Sequence, residues 1–405
     1  MKNKSFYLGG WGSPHCEPKD YELARDAGID HFLVTEEYSE SGELKGKKEI
    51  DYAARVGIKS VLHIGNDYLS STKTGLKKRD TDYGAIAADR ICYSDEPIYA
   101  NFPVLKAWAK EHDEKYGDTR TYYVNLLLVD MHPEEMGDTP ETQTFDNYIG
   151  KFCSEVLSEI KKGERILSCD CYPLIIRDGK TVVRKKWLYN LETMMYNAVS
   201  CGAKHEEYVQ VVEYNDLPRS TEESIRYQAY VLLNFGTSGL TYFTYSSPVA
   251  DFKNSCVNLD ESCSLNDQYY YVKNVNKELR AFENEYLNCS VDGVMPVYGT
   301  EYSLNKDSAI EEMKKPLSEL YGVKSISATE DTLISEMTHG SGKKAYVITN
   351  FSNPYDGKTD TVDIKFDGKE RLAVWQRGVR KEYEAKDGSF SLVLGAGDGV
   401  FVMIL

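Results

Sequence analysis

Two stretches of this 405-residue sequence end in glutamate after residues that a β-strand would hold rigid: Ile91-Cys92-Tyr93-Ser94 before Glu96, and Val209-Gln210-Val211-Val212 before Glu213. Two carboxyl groups flanking one bond suit glycosidic cleavage. One, protonated, helps the leaving oxygen depart, and the other, ionised, attacks or activates water. Strand alternation puts Cys92 and Ser94 on the side of Glu96, and Val209 and Val211 on that of Glu213, with both acids projecting into one pocket. Similar runs end near Trp11, Glu36 and Glu37, His63 and Asn66, Asp95, Asn125, Asp170 and Tyr172, Asn215, and Tyr245. A flat ring can cover the C–H side of a sugar, so Trp11, Tyr172 and Tyr245 are candidate platforms. Asn125 and Asp170 are candidates for binding hydroxyl groups, and Glu37, His63 and Asp95 complete the candidate substrate-binding set. With 31 Tyr in the chain, most tyrosines must serve packing or the surface.

Other chemistries have less support. There is no HExxH, and among seven His only His63 falls at a strand end, so neither a metal site nor a cofactor is expected. Gly236-Thr237-Ser238-Gly239 is not the GxSxG of a serine-hydrolase elbow. Cys169 and Cys171 alternate with Asp170 and read as core thiols, and no Lys ends an apolar run where a Schiff base would form.

For the candidates to meet, the strands that carry them must share one face. Apolar runs at 6–11, 31–36, 59–64, 90–94, 122–128, 165–172, 208–213 and 239–245 predict eight strands. Helical windows near 18–29 and at 47–56, 83–88, 104–114, 148–161, 187–200, 221–235 and 269–286 follow them. Eight strand–helix units predict an α/β fold, a (β/α)8 TIM barrel over 1–290, whose functional residues cluster at the C-terminal ends of the strands. A doubly wound sheet is the alternative, but Gly9-Gly10-Trp11-Gly12 lacks the GxGxxG turn. Beyond about 291 the helical period disappears. A connecting segment at 291–325 leads to a small C-terminal antiparallel β-sandwich domain over 326–405, with strands at 345–349, 361–366, 372–376, 390–394 and 400–404. Asp367-Gly368 and Asp387-Gly388 read as hairpin turns.

The stretches Tyr93-Ser94-Asp95-Glu96-Pro97, Tyr122-Tyr123-Val124-Asn125-Leu126-Leu127, Asp170-Cys171-Tyr172-Pro173-Leu174 and Gly239-Leu240-Thr241-Tyr242-Phe243-Thr244-Tyr245 occur in this order along the barrel. Through them the chain resembles the retaining (β/α)8 glycosidases of clan A, and among these the relatives of the family 42 β-galactosidases. The resemblance implies Glu96 at the end of strand four as acid/base and Glu213 at the end of strand seven as nucleophile. It further implies a terminal β-linked neutral sugar as substrate, with a β-galactoside the first guess. The clan has Asn before the acid/base, bonded to the sugar 2-hydroxyl. This chain has Asp95, which can accept that proton but cannot donate one. An inactive glycan-binding barrel, or a barrel lyase or isomerase using the same carboxylates, is the competing reading.

The charge balance agrees with a neutral carbohydrate partner. Lys+Arg 48 against Asp+Glu 64 gives −16, and no basic run is longer than the three residues of Arg184-Lys185-Lys186, so nucleic acid and membrane surfaces are not expected partners. No apolar stretch approaches a membrane span and no signal-peptide core follows Met1, so a cytoplasmic location is expected. Nine Cys without a CxxC suit a reduced compartment, with Cys256 and Cys263 the one loop pair to consider. The sequence is compatible with a homo-oligomer and does not choose an oligomeric state.

Overall fold

The computed structural model describes residues 4–14, 17–35, 46–64, 86–247, 251–258, 264–300 and 308–405. Glu36, Glu37, Asn66, Cys263 and most of the window expected as a helix at 83–88 lie outside the described residues.

Eight parallel strands close a barrel: β1 (Tyr7–Trp11), β2 (His31–Thr35), β3 (Lys59–His63), β4 (Arg90–Asp95), β5 (Thr121–Leu126), β6 (Ile166–Cys169), β9 (Lys204–Gln210) and β10 (Gly239–Phe243), the last pairing with β1. Between β6 and β9 a hairpin of β7 (Leu174–Arg177) and β8 (Lys180–Val183) is inserted, turning at Asp178-Gly179, where both residues have positive φ. Its Asp-Gly turn is the hairpin signal that the sequence reading passed over.

The helices are α1 (Pro18–Asp26), α2 (Lys47–Arg55), α3 (Phe102–Tyr116), α4 (Pro133–Met136), α5 (Phe145–Lys151), α6 (Trp187–Cys201), α7 (Glu222–Asn234), α8 (Asp267–Arg280) and α9 (Glu283–Tyr286). Local chemistry fixes several ends. Pro18 opens α1 behind a Glu17/Asp20 capping box, the Thr221 side chain caps α7 by accepting from the Ser224 amide, and α6 stops at Gly202 in the left-handed region. The helix expected over 148–161 instead leaves α5 through a π-helical stretch, Phe152–Val156, that buries Phe152, Cys153 and Val156.

Alternation sorts the strand residues into two cores. Val61, Cys92, Tyr123 and Ile166 fill the barrel interior with Tyr7 and Leu33, while Leu8, Phe32, Leu62, Ile91, Tyr93, Tyr122, Val209 and Leu240 pack outward beneath the helices. Low in the barrel, the Arg90 guanidinium donates to both Glu206 carboxylate oxygens, at 2.6 and 3.0 Å, and lies 3.8 Å from the centre of the Tyr7 ring. Glu206 and Tyr208 therefore face inward on β9, and the expectation that Val209 and Val211 line the interior beneath Glu213 is corrected.

The C-terminal region is a sandwich. A six-stranded antiparallel sheet, ordered β11-β13-β14-β19-β16-β17, comprises β11 (Cys289–Val297), β13 (Thr332–His339), β14 (Lys344–Asn350), β16 (Glu370–Gln376), β17 (Val379–Ala385) and β19 (Gly399–Ile404). A three-stranded sheet of β12 (Val323–Ala328), β15 (Asp360–Phe366) and β18 (Ser389–Leu394) covers one face. β11 runs from Cys289 into the segment expected at 291–325 to be a connection. Both Asp-Gly turns join strands of different sheets, so neither closes a hairpin. The central strands of the larger sheet, β13, β14 and β19, are buried on both sides. Ile334, Tyr346, Ile348 and Val402 face the smaller sheet, whereas Leu333, Met337, Val347 and Phe401 join the barrel's outer core. Asn234, fully buried on α7, ties the two regions: its amide nitrogen donates to Thr349 at 2.7 Å and its oxygen accepts the Ser335 amide at 3.0 Å.

Candidate active site

The mouth of the barrel is built strand by strand. On β4 the pairing register with β5 slips between Cys92 and Asp95, two intervening residues facing one, so that Asp95 comes opposite Asn125. Such a bulge re-aims a side chain. Asp95 takes the inward place that simple alternation would give to Ser94. Glu96 follows with φ +48°, a left-handed conformation that is costly for a side-chain-bearing residue, and its amide donates to the Asn125 carbonyl at 2.8 Å. The Asn125 amide nitrogen donates to Asp95 at 3.0 Å, and Asp170 stands just past the end of β6, within reach of the charges of Asp95 and Glu96. Asp95, Glu96, Asn125 and Asp170 are thus brought together.

Their electrostatics follow from the crowding. Burial, then the charges of Glu96 and Asp95, push the Asp170 carboxyl well above the usual carboxylate range. The Tyr172 phenol is pushed up by burial and by Asp170, Asp95 and Glu96. His63, on β3 below Asp95, is only 1 % exposed; burial holds its imidazole below the ordinary range while the Asp95 charge pulls the other way. His63 is therefore a buried neighbour of Asp95 and not a rim ligand.

The opposite wall is aromatic. The Phe243 ring, at the end of β10, lies 5.1 Å from Trp11, 5.3 Å from Tyr172 in a stacked arrangement and 5.4 Å from Phe252, and Phe252 meets Tyr214 at 4.5 Å. All five rings are partly exposed. Trp11 and Tyr172 take their expected places at the mouth. Tyr245 does not: β10 ends two residues earlier than expected, and the Tyr245 ring is wholly buried against Phe32, 5.1 Å away, leaving no face for a ligand. Phe243, Phe252 and Tyr214 were missed. Phe243 could have been found, since it is inward by alternation with Thr241 on a strand already identified.

β9 likewise stops short, at Gln210, and Glu213 lies three residues beyond it in an extended segment. Its backbone pairs with Lys253 (amide to carbonyl, 2.8 and 3.0 Å), and its carboxylate accepts from the Asn254 amide nitrogen at 2.6 Å. Lys253 follows Phe252, so Glu213 stands at the edge of the aromatic wall, three strands round the barrel from Glu96. The strongest charges acting on Asp170 and Tyr172 are those of the β4 acids and their own neighbours, and Glu213 is not among them.

A separate cavity of about 760 Å³ lies between the β7–β8 hairpin and the sandwich, lined by Thr181, Val183, Asp331, Phe351, Asn353 and Tyr355. Its polar groups already bond one another. Asp331 accepts from the Gly299 amide and the Ser308 hydroxyl, and Asn353 donates to the Thr181 carbonyl, so the strand-end carboxylates remain the better candidate site. The seven described cysteines are free thiols. Among the described residues, no group of three or more His, Cys, Asp or Glu is arranged to hold a metal ion, and no helix is long and apolar enough to cross a membrane.

The sequence matches no protein-family model and no curated protein. Solved structures are similar in fold. One is a Bacteroides fragilis protein described provisionally as an α-galactosidase/melibiase, with 12 % identity over 99 % of this chain and 79 % of that one and a TM-score of 0.53. A second provisional α-galactosidase from the same organism is 11 % identical over the same shares, with a TM-score of 0.52. A GH27 β-L-arabinopyranosidase from Geobacillus stearothermophilus is 11 % identical over 100 % of this chain and 96 % of that one, with a TM-score of 0.52. At such identities the likeness shows the shared barrel-and-β-domain fold. None of the three is a family 42 β-galactosidase.

Proposed function

We propose that the protein is a glycoside hydrolase acting on a neutral, terminal β-linked sugar, with Glu96 as acid/base and Glu213 as nucleophile of a retaining double displacement. The observation that carries this reading is the facing of a carboxyl cluster, Asp95, Glu96 and Asp170, by a half-exposed aromatic wall at the C-terminal mouth of a barrel. Rings hold the apolar face of a sugar while carboxyls treat its acetal oxygen. The similar structures support carbohydrate chemistry by analogy of fold alone. A β-galactoside is the first substrate to try.

In this mechanism Glu96 begins protonated and Glu213 ionised. When the sugar is attached to Glu213 that charge is gone, the proton on Glu96 leaves more readily, and Glu96 then takes a proton from the attacking water. Glu213→Gly should abolish turnover of nitrophenyl glycosides, and azide should restore it as a glycosyl azide of inverted configuration. Full activity of Glu213→Gly without azide overturns the assignment. The position of Glu213, anchored by Asn254 outside the acid cluster, favours one second reading, a barrel that holds a glycan without cutting it. Oligosaccharide binding by calorimetry, with no hydrolysis of any glycoside in the panel, would select that reading.

A further inference from the structure

Beyond the end of β9 the backbone that carries Glu213 is held at several points. Gln210, fully buried, donates its side-chain nitrogen to two carbonyls of the same segment, those of Val212 and Pro218, both at 2.6 Å. The Val211 and Val212 amides donate to the Phe243 carbonyl at 2.7 and 3.1 Å, and Glu213 exchanges both of its backbone hydrogen bonds with Lys253. Directly afterwards Tyr214 and Leu217 bond each other across a turn in which Asn215 has φ +52°. The Ile176 amide of the β7–β8 hairpin holds the Asp216 carbonyl of that turn at 2.7 Å.

The side chain is less constrained. A glutamate turns about several bonds, so a fixed backbone still leaves its carboxylate many places to go. Among the described residues the carboxylate's one hydrogen-bond donor is Asn254, whose side-chain nitrogen reaches Oε2 at 2.6 Å. A nitrogen that only gives hydrogens here meets a carboxylate that, when ionised, only accepts them, and such charge-assisted bonds are among the stronger ones. Asn254 is itself fixed on both sides. Lys253 before it forms the two-bond bridge to Glu213; after it, the Ser255 carbonyl accepts from Asn266 and the Ser255 hydroxyl donates to the Val257 carbonyl, each at 2.8 Å. Asn254 has φ +54°, a left-handed conformation that glycine adopts at less cost. In backbone terms glycine would serve better at 254, and what glycine lacks is the amide.

We propose that Asn254 is the positioning residue of Glu213: by holding Oε2 it fixes the plane of the carboxylate and leaves Oε1 as the oxygen presented to the sugar. The inference rests on the reading of Glu213 as nucleophile and deepens it. In the first step Oε1 bonds the anomeric carbon while the leaving oxygen departs with its electron pair and takes the proton of Glu96. Oε2, still bonded to Asn254, becomes the carbonyl oxygen of the glycosyl ester. In the second step water attacks the anomeric carbon, giving its proton to Glu96, and the ester electron pair returns to Oε1. Asn254 acts on both steps through Glu213 alone.

The test compares two variants of the full chain on any glycoside the wild type hydrolyses. Asn254→Gly keeps the left-handed turn and loses the amide. It should unfold close to the wild-type temperature, bind a non-hydrolysable thioglycoside with Kd within about twofold of the wild type, and lower kcat by about 10- to 100-fold, the cost of a misplaced reacting group. Asn254→Asp matches the amide in size and accepts the same turn, but sets a second carboxylate against Oε2 and should be slower than Asn254→Gly. A side chain that merely filled space would give the reverse order. A kcat for Asn254→Gly within about threefold of the wild type, or an Asn254→Asp faster than Asn254→Gly, overturns the proposal even where azide rescue of Glu213→Gly upholds the nucleophile. Full activity of Glu213→Gly without azide overturns the proposed function instead. If the wild type hydrolyses no glycoside, the proposed function fails, and NMR of the chain labelled with 15N-asparagine reads the contact by itself. One side-chain amide proton of Asn254 should lie downfield of its partner and move back in Glu213→Ala, and a signal indifferent to Glu213→Ala overturns the proposal.

Discussion

The ion pair low in the barrel permits the most quantitative test. Arg90 and Glu206 are 8 % and 3 % exposed, joined by two hydrogen bonds of 2.6 and 3.0 Å, with the Arg90 cation against the face of Tyr7. Arg90→Met keeps the volume of the stem and removes the charge, stranding the Glu206 carboxylate inside the barrel. Breaking a buried pair in this way costs about 3–5 kcal/mol, whereas replacing both members by apolar groups is often neutral. At about 2.1 cal/mol/K per residue, 405 residues give an unfolding entropy of about 0.85 kcal/mol/K, so a loss of about 4 kcal/mol lowers Tm by about 5 °C if the molecule unfolds as one unit. Urea titration and calorimetry should show that loss for Arg90→Met, and Arg90→Met with Glu206→Leu should return to within about 1 kcal/mol of the wild type. A single variant as stable as the wild type, or a double variant no better than the single, would refute the argument that an unpaired charge is the source of the cost.

Two further outcomes are expected. Phe243→Ala removes the ring shared by Trp11, Tyr172 and Phe252, and should raise KM or Kd for the glycan by about tenfold, equivalent to about 1.4 kcal/mol; Tyr245→Phe, in the buried layer behind it, should leave binding unchanged, as isothermal titration would show. Asp113 is held differently from Asp170: burial alone would push its carboxyl up, but the amides of Lys161, Lys162 and Gly163 (2.9, 2.8 and 3.4 Å) hold it below the usual range. A depressed folded value means that stability is present above the unfolded value of about 3.9 and lost as pH falls through the folded one. Asp113→Asn should therefore be less stable than the wild type at pH 7, the gap closing as pH falls below the unfolded value and through the lower folded one, and a gap constant with pH in urea midpoints would count against this account.

Much of the barrel was legible because strands such as β2 and β3 carry apolar runs and helices such as α2 and α8 a one-sided pattern, which local periodicity reports. The phase within a strand was less so. On β4 the slip between Cys92 and Asp95 moves the inward row by one residue, and nothing in Tyr93-Ser94-Asp95 announces it. On β9 the inward row is polar, Glu206 and Tyr208, because it pairs with Arg90 and Tyr123 across the barrel, so the aliphatic row beside it was mistaken for the lining. In the sandwich, β13 interrupts its buried rows with Ser335 and Glu336 and β17 is exposed along Val379–Glu384, so neither shows an unbroken apolar face. The acids and Trp11 were found because their types are chemically loud. Phe252 and Asn254, which complete the wall and hold Glu213, sit in a loop whose place is set only by the closed barrel.

The burial of the larger sheet's central strands on both of their faces has a consequence for how this chain can change over time. β14 and β19 have no side that tolerates drift toward charge, since one row packs against the small sheet and the other against the barrel's helices. The approach is so close that a methyl group on Gly399 would lie 2.4 Å from the Tyr230 ring. The C-terminal region is therefore not a module that recombination could trade for another. Barrel and sandwich must be inherited as a matched pair, and any lineage that loses one loses the wall that keeps the other dry.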